Sequence, residues 1–324
     1  MSDERPRVIV VVGPTAVGKT ETVLHLATAL TAEIINADSM QVYRYMDVGT
    51  AKPTAADQAL VPHHLLDLVD PDEDFDAFRY GDLGRLAISE LWGRGRAALV
   101  AGGTGLYVKA LLHGLFPGAP KNVEVRDRLR AEAAAYGAMH LYRRLSQLDP
   151  GTARRVDCRD LVRLVRALEV WECSGRPISA WQQEHGFREE PFRILKIGLS
   201  VPRPELYSRI DERVERMMAQ GFLEEVRWLL DQEYRPELKS MQSLGYRHLV
   251  GHLVGRSSLG EAVTTMKRDT RRYAKRQITW FGRDPKIYWF HPNQRDGMTS
   301  LVSAFLKNPD PTGGEVAGTL RYTR

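Results

Sequence analysis

Residues 8–20 read VIVVVGPTAVGKT. Val8–Val12 is an unbroken β-branched run, the pattern of a strand buried on both faces rather than one with a wet side. Gly13–Thr20 then satisfies GxxxxGK[ST], and Lys19–Leu30 follows with helical spacing at Val23, Leu26, Ala27 and Leu30. Strand, glycine turn and helix in that order make a phosphate loop. Its glycines let successive backbone N–H groups turn inward on a phosphate, at the positive end of the helix dipole. Gly13, Pro14, Thr15, Ala16, Val17, Gly18, Lys19 and Thr20 are therefore the expected diphosphate-binding residues. Lys19 supplies charge to the terminal phosphates, and the Thr20 hydroxyl is the expected metal ligand. The loop implies a diphosphate or triphosphate ligand and leaves the reaction open.

Outward from this loop, Ala32–Asn36 (AEIIN) and Ala97–Ala101 (AALVA) read as further strands, alternating with helical stretches. That alternation predicts an α/β fold: a P-loop core with a mostly parallel sheet flanked by helices. From about Gly118 to Arg188 the chain is rich in Arg, Ala, Leu and Glu at helical spacing, which predicts an α-helical insertion. Strands return at Arg193–Ser200 and Lys286–Phe290, with two long helical stretches between them and a last helix at Thr299–Leu306. The expected organisation is core 1–117, insertion 118–190, core again 191–292 and a partly disordered tail 293–324.

The composition suits a globular enzyme. Hydrophobic residues make up 43% and charged residues 27% of the 324 residues, so disorder is excluded for most of the chain. Two cysteines, Cys158 and Cys173, form no CxxC pair and argue for neither a zinc site nor a disulfide framework. The charged start MSDERPR is not a signal peptide, and no apolar run approaches the ~18 residues of a membrane span. A cytoplasmic, monomeric protein with no membrane partner is expected.

Two features qualify the phosphate loop. A nucleotide hydrolase normally ends a second strand in a metal-organising acid. Here AALVA runs into Gly102–Gly105 (GGTG), which also lacks the GxGxxG spacing of a dinucleotide site. Asp38, after the second strand, emerges at the sheet edge where ligands bind in open α/β folds. Beside a bound diphosphate it serves either a metal or the reaction chemistry, or it is an ordinary turn or helix N-cap aspartate. Positive charge is concentrated in Lys267–Arg276, with six Lys/Arg and the single acid Asp269, so neutralisation within that helix is expected to be poor. Arg159, Arg163 and Arg166 fall at i, i+4 and i+7 and should line one side of an insertion helix, with Leu161, Val165 and Leu168 on another. Such stripes suit an RNA backbone, against the bland alternative of a solvated helix face. A P-loop kinase and a non-catalytic RNA-binding protein are the competing readings.

Seven segments together resemble the bacterial tRNA dimethylallyltransferase family. They are GPTAVGKT (13–20), DSMQVYRYMDVGTAKP (38–53), VPHHLLD (61–67), VAGGTGLYVKALL (100–112), DLVRLVRALEV (160–170), SLGYRH (243–248) and RRYAKRQITWF (271–281). The resemblance implies that the loop binds dimethylallyl diphosphate with Mg²⁺. It also implies that the acceptor is the exocyclic N6 of the adenosine 3′ to the anticodon, in tRNAs that read codons beginning with U. Carried over residue by residue, Asp38 is the base, Thr104 positions the amine, Lys19 is catalytic, and Arg213 lies near the diphosphate. The residues expected to contact the tRNA anticodon stem-loop are Asp38, Ser39, Met40, Gln41, Thr104 and Arg126. To these the resemblance adds Val162, Arg163, Leu164, Val165 and Arg166 in the insertion. It further adds Met241, Gln242, Ser243, Leu244, Gly245, Tyr246 and Arg247, then Lys275, Arg276, Gln277, Ile278, Thr279, Trp280, Phe281 and Gly282. Gly282 departs from the family pattern, standing where an arginine usually follows TWF.

Overall fold

The computed structural model describes residues 4–116 and 121–307. Two compact units emerge: one takes the chain up to Leu112 and again from Glu190, the other is 113–189. The expected boundary at Gly118 and the tail from Asn308 lie outside the described residues.

The first unit begins β1 (Arg7–Val12), α1 (Lys19–Leu30), β2 (Ala32–Asn36), α2 (Ala55–Leu60), β3 (His63–His64), α3 (Ala77–Gly93), β4 (Ala97–Gly102) and α4 (Gly105–His113). The second unit contains α5 (Val123–Tyr136), α6 (Ala138–Leu148), α7 (Pro150–Ala153), α8 (Leu161–Ser174) and α9 (Ile178–His185). The first unit resumes with β5 (Arg193–Leu199), α10 (Arg203–Ala219), α11 (Phe222–Asp231), α12 (Tyr246–Leu253), α13 (Leu259–Phe281), β6 (Ile287–Phe290) and α14 (Arg295–Lys307).

The strands form one sheet in the order β3-β2-β4-β1-β5-β6, and every pairing is parallel. Ile9 and Val11 pack in a cluster with Leu26 of α1 and Met298 and Val302 of α14. Val8 and Val10 point the other way by the strand's two-residue period and are equally buried, so both faces are covered. The chain moves to one side of β1 through β2 and β3, and to the other through β5 and β6. This reversal opens a crevice at the carboxyl ends of the strands beside β1, the place where ligands bind in open α/β sheets.

Several expectations need correction. His63–His64 is a sixth strand, paired only to Ile34 and Ile35, and too short to leave a periodic signal. Four helices, not two long stretches, separate β5 from β6, and the last helix among the described residues begins at Arg295. Arg159 lies outside α8, which is capped by Asp160, and its guanidinium turns to Asp157 at 3.4 Å. The three-arginine stripe is therefore broken at its first member. Arg163 remains 63% exposed, while Arg166 reaches Glu169 at 2.7 Å. The second unit has its own core, in which Leu164, Val165 and Leu168 join Leu129, Leu141 and Leu145.

Candidate functional site

Three strand ends build the site. β1 leads into the phosphate loop, where Gly13 has φ +152° and a Cβ would lie 2.8 Å from the Leu199 carbonyl oxygen, so only glycine fits without strain. Lys19 folds over the loop mouth, its Nζ donating to the carbonyls of Gly13 at 3.0 Å and Pro14 at 2.8 Å. Thr22 Oγ1 is taken by the Gly18 carbonyl, whereas the Thr20 hydroxyl is exposed and makes no hydrogen bond among the described residues. Arg209 Nη1 on α10 donates to the Val17 carbonyl at 3.2 Å, holding the loop from outside.

β2 ends one residue before Ala37, and Asp38 follows. Its Oδ1 accepts the Met40 N–H at 2.9 Å, and its own N–H donates to Asn36 Oδ1 at 3.2 Å. Asp38 is thus a turn residue in part, with Oδ2 accepting no hydrogen bond from the described residues. β4 ends in Gly102, where a Cβ would sit 2.1 Å from the Ala37 carbonyl oxygen. The absence of that carbon lets the β2 and β4 ends close on each other. Thr104 N–H donates to the Ala37 carbonyl at 3.2 Å, and Thr104 Oγ1 accepts the Ser39 N–H at 3.0 Å. The segments that carry Asp38 and Thr104 are thereby brought together.

Charge decides what this point can do. Burial and the neighbouring Arg213 lower the Lys19 pKa to about 7, with Asp38 opposing them. Lys19 keeps some surface in solvent while its ammonium end is enclosed. Burial also lowers the Arg213 pKa, again against the pull of Asp38. An arginine, a lysine poised between its charged and neutral forms, and one carboxylate therefore share an enclosed site that a polyphosphate would complement. Arg213 donates to the Thr50 carbonyl at 3.3 Å, which leaves most of its donors for a ligand. Tyr273 of α13 completes the wall beside Asp38, Thr104 and Gln277, and burial with the nearby Asp38 carboxylate pushes its pKa well up. Among the described residues no cluster of His, Cys, Asp or Glu could hold a metal unaided. From this chain a Mg²⁺ carried on a ligand's phosphates would take the Thr20 hydroxyl, an oxygen donor of the kind that ion accepts.

The other expected RNA contacts divide by exposure. Lys275, Arg276, Thr279 and Trp280 are exposed on α13, and Val162 and Arg163 on α8. Arg126 instead grips the buried Glu169 through Nε at 2.8 Å and Nη2 at 3.0 Å. Met241, Tyr246, Leu164, Val165 and Phe281 are buried, so their side chains serve packing. Ser39, Met40, Gln41, Ser243, Leu244, Ile278 and Gly282 are half-buried, and Gly245 is buried. Gln242 is exposed, as is Arg247, which pairs with Asp269 at 2.9 Å.

The basic run on α13 is better neutralised than its sequence suggests. Asp269 also accepts from His248, Arg268 and Arg272, and this company holds its carboxyl far below the usual range. Asp211 and Glu215 of α10 take Arg271 and Lys267. Lys275 and Arg276 are left without an ion pair among the described residues, with Arg276 over the Tyr273 ring.

Three residues that the sequence reading did not assign to the site support it. Glu225 of α11 accepts the N–H groups of Asp47, Val48 and Gly49 and the Tyr246 hydroxyl, pinning the loop after Asp38. Nothing in its local sequence signals this. Arg209 could have been found, one helical turn before Arg213 on the same face of α10. Tyr273 is four residues before Gln277 in the basic run, a spacing that shares one face.

Comparison with known proteins gives the same direction. The family model for IPP transferase matches residues 41–284, and that for isopentenyl transferase matches residues 6–62. The chain is 52% identical over 295 residues to the tRNA dimethylallyltransferase of Syntrophobacter fumaroxidans, covering 91% of this chain and 86% of that one. It is 47% identical over 303 residues to that of Geobacter sulfurreducens, covering 93% and 97%. Among solved structures, the tRNA isopentenylpyrophosphate transferase of Bacillus halodurans aligns with TM-score 0.70 and 37% identity over 94% of this chain and 97% of that one. A eukaryotic dimethylallyltransferase captured acting on tRNA aligns with TM-score 0.81 and 26% identity, over 96% and 81%.

Proposed function

This chain belongs to the IPP transferase family, and from that membership we propose that it transfers a dimethylallyl group from dimethylallyl diphosphate to the N6 amine of a tRNA adenosine. The acceptor is the adenosine 3′ to the anticodon, in tRNAs that read codons beginning with U. The observation that carries this reading is the convergence of Lys19, Arg213, Asp38 and Thr104 at the carboxyl edge of the sheet.

The reaction breaks the bond between the allylic carbon and the diphosphate oxygen and forms a bond from that carbon to N6. Lys19, Arg213 and the loop N–H groups neutralise the diphosphate as it departs, which stabilises charge that grows only in the transition state. Bound diphosphate would also draw Lys19 back to its charged form, reversing the effect of burial. The attacking amine is a poor nucleophile because its lone pair is delocalised into the ring. Asp38, with Oδ2 open, accepts the proton that N6 gives up, and Thr104 orients the amine beside it. A Mg²⁺ held by Thr20 and the phosphate oxygens would add charge stabilisation at the leaving group.

The adenine must leave its stack to reach an edge set this deep. The exposed Lys275 and Arg276, and Arg163 of the second unit, supply cations for the anticodon stem-loop backbone. No described helix is long and apolar enough to cross a membrane. We take the enzyme to act as a cytoplasmic monomer. Incubating an anticodon stem-loop RNA with dimethylallyl diphosphate and Mg²⁺, then measuring the RNA mass, tests the proposal. A gain of one dimethylallyl group on the adenosine 3′ to the anticodon supports it; unmodified RNA counts against it.

A further inference from the structure

The buried stripe of α13 runs Ala262, Met266, Thr270, Ala274, Gln277 and Phe281, and Gln277 is its one carboxamide. A buried amide is costly unless both ends are satisfied. Here both are, and by backbone from two different loops. Oε1 accepts the Thr15 N–H at 2.8 Å, and Nε2 donates to the Gly103 carbonyl at 2.9 Å. Thr15 belongs to the phosphate loop, and Gly103 immediately precedes Thr104. A Cβ on Gly103 would lie 2.1 Å from Nε2, so the bare backbone there is what admits the glutamine. One helical turn away, Tyr273 lies beside Thr104 and Gln277.

We propose that Gln277 is a positioning residue: it clips the diphosphate loop to the turn that carries Thr104, without itself touching RNA. The inference rests on the prenyl-transfer reading. In it, the electrophilic carbon hangs from one loop and the acceptor amine is oriented by the other, so their separation depends on whatever joins the loops. Gln277 is 5% exposed, whereas Lys275, Arg276, Thr279 and Trp280 of the same segment are open to solvent. Any RNA contact from this part of α13 falls to those four.

Two variants test the clip. Gln277→Met keeps the length and loses both bonds. Gln277→Glu keeps an acceptor for Thr15 and sets a carboxylate against the Gly103 carbonyl. Steady-state kinetics and RNA binding are measured on both, with wild type in the same series. The clip predicts unchanged RNA affinity in each, with kcat at saturating substrates reduced about 10- to 100-fold by the loosened register. It also predicts a higher KM for dimethylallyl diphosphate in Gln277→Met than in wild type, because the bond to Thr15 is lost. A weakened RNA Kd with wild-type kcat at saturating RNA would overturn it, and so would wild-type behaviour throughout. If Gln277→Met does not fold, Gln277→Glu alone decides on the same split between kcat and RNA affinity. Absence of product from wild type would sink the prenyl-transfer reading itself, which is a different outcome from either.

Discussion

Gly102→Ala should uncouple chemistry from folding. The added Cβ would stand 2.1 Å from the Ala37 carbonyl oxygen and 2.3 Å from its carbon, and both are backbone atoms that no rotamer change can move. Ordinary contact requires the β2 and β4 ends to part by somewhat more than about 1 Å. Ala37 directly precedes Asp38, and Gly102 stands two residues before Thr104, so the opening falls between the base and the residue that orients the acceptor. A misplacement of that size costs roughly a hundredfold in rate. Overpacking a sound core costs about 1–3 kcal/mol, and the sheet below is otherwise intact, so the protein should still fold with a Tm lowered by several degrees. The assay is a single-turnover rate at saturating dimethylallyl diphosphate and RNA, beside a melting curve. Gly251→Ala in α12 is the control: its Cβ would meet nothing within 4 Å, and both rate and stability should hold. A Gly102→Ala protein that melts lower but turns over at the wild-type rate would refute the idea that this close approach sets the reacting geometry.

Asp38→Asn keeps the Oδ1 turn contact and removes proton acceptance, so kcat should fall about a hundredfold or more with RNA affinity retained; near-normal turnover would assign the base elsewhere. Lys19 has a pKa of about 7 in the free protein, and only its protonated form pairs with diphosphate. The kcat/KM for dimethylallyl diphosphate should therefore decline as pH rises above about 7, approaching one decade per pH unit, while kcat in the bound complex stays flatter. A flat kcat/KM across that range contradicts the assignment. Arg126→Ala strips a bidentate partner from Glu169, which is 0% exposed, and should destabilise the protein by about 1–3 kcal/mol in thermal melts. Arg163→Gln, on an exposed residue, should leave Tm unchanged and lower the salt slope of RNA binding by up to about one unit. The reverse pattern at these two arginines would exchange their roles.

The strand, loop and helix at Val8–Leu30 were legible because their determinants are local: a β-branched run, two glycines, a Lys-Thr pair and a 3.6-residue apolar period. Asp38 is placed by its strand end, at the edge where ligands bind in an open parallel sheet, whereas Thr104 comes from the family resemblance. β3 was not visible, since two histidines bridging to β2 carry no period of their own. The sequence reading of α13 concerns acids within that helix; Asp211 and Glu215, which also take its cations, come from α10, more than fifty residues earlier in the chain, and leave no local signal. Arg159 was misplaced by one helix boundary, where Asp160 caps α8 just after it. Gln277 was read as an RNA contact; that both its polar ends are taken by backbone from 174 and 262 residues away is a fact of tertiary structure alone.

The central claim is that the phosphate loop serves a departing diphosphate while Asp38 deprotonates an RNA amine. Its most direct test counts both products in one reaction: diphosphate released and dimethylallyl adenosine formed, with ATP present as a competitor. The account predicts one diphosphate for each modified adenosine, no consumption of ATP, and loss of both products together in Lys19→Ala. ATP turnover that depends on Lys19, or diphosphate release without modified adenosine, would contradict it.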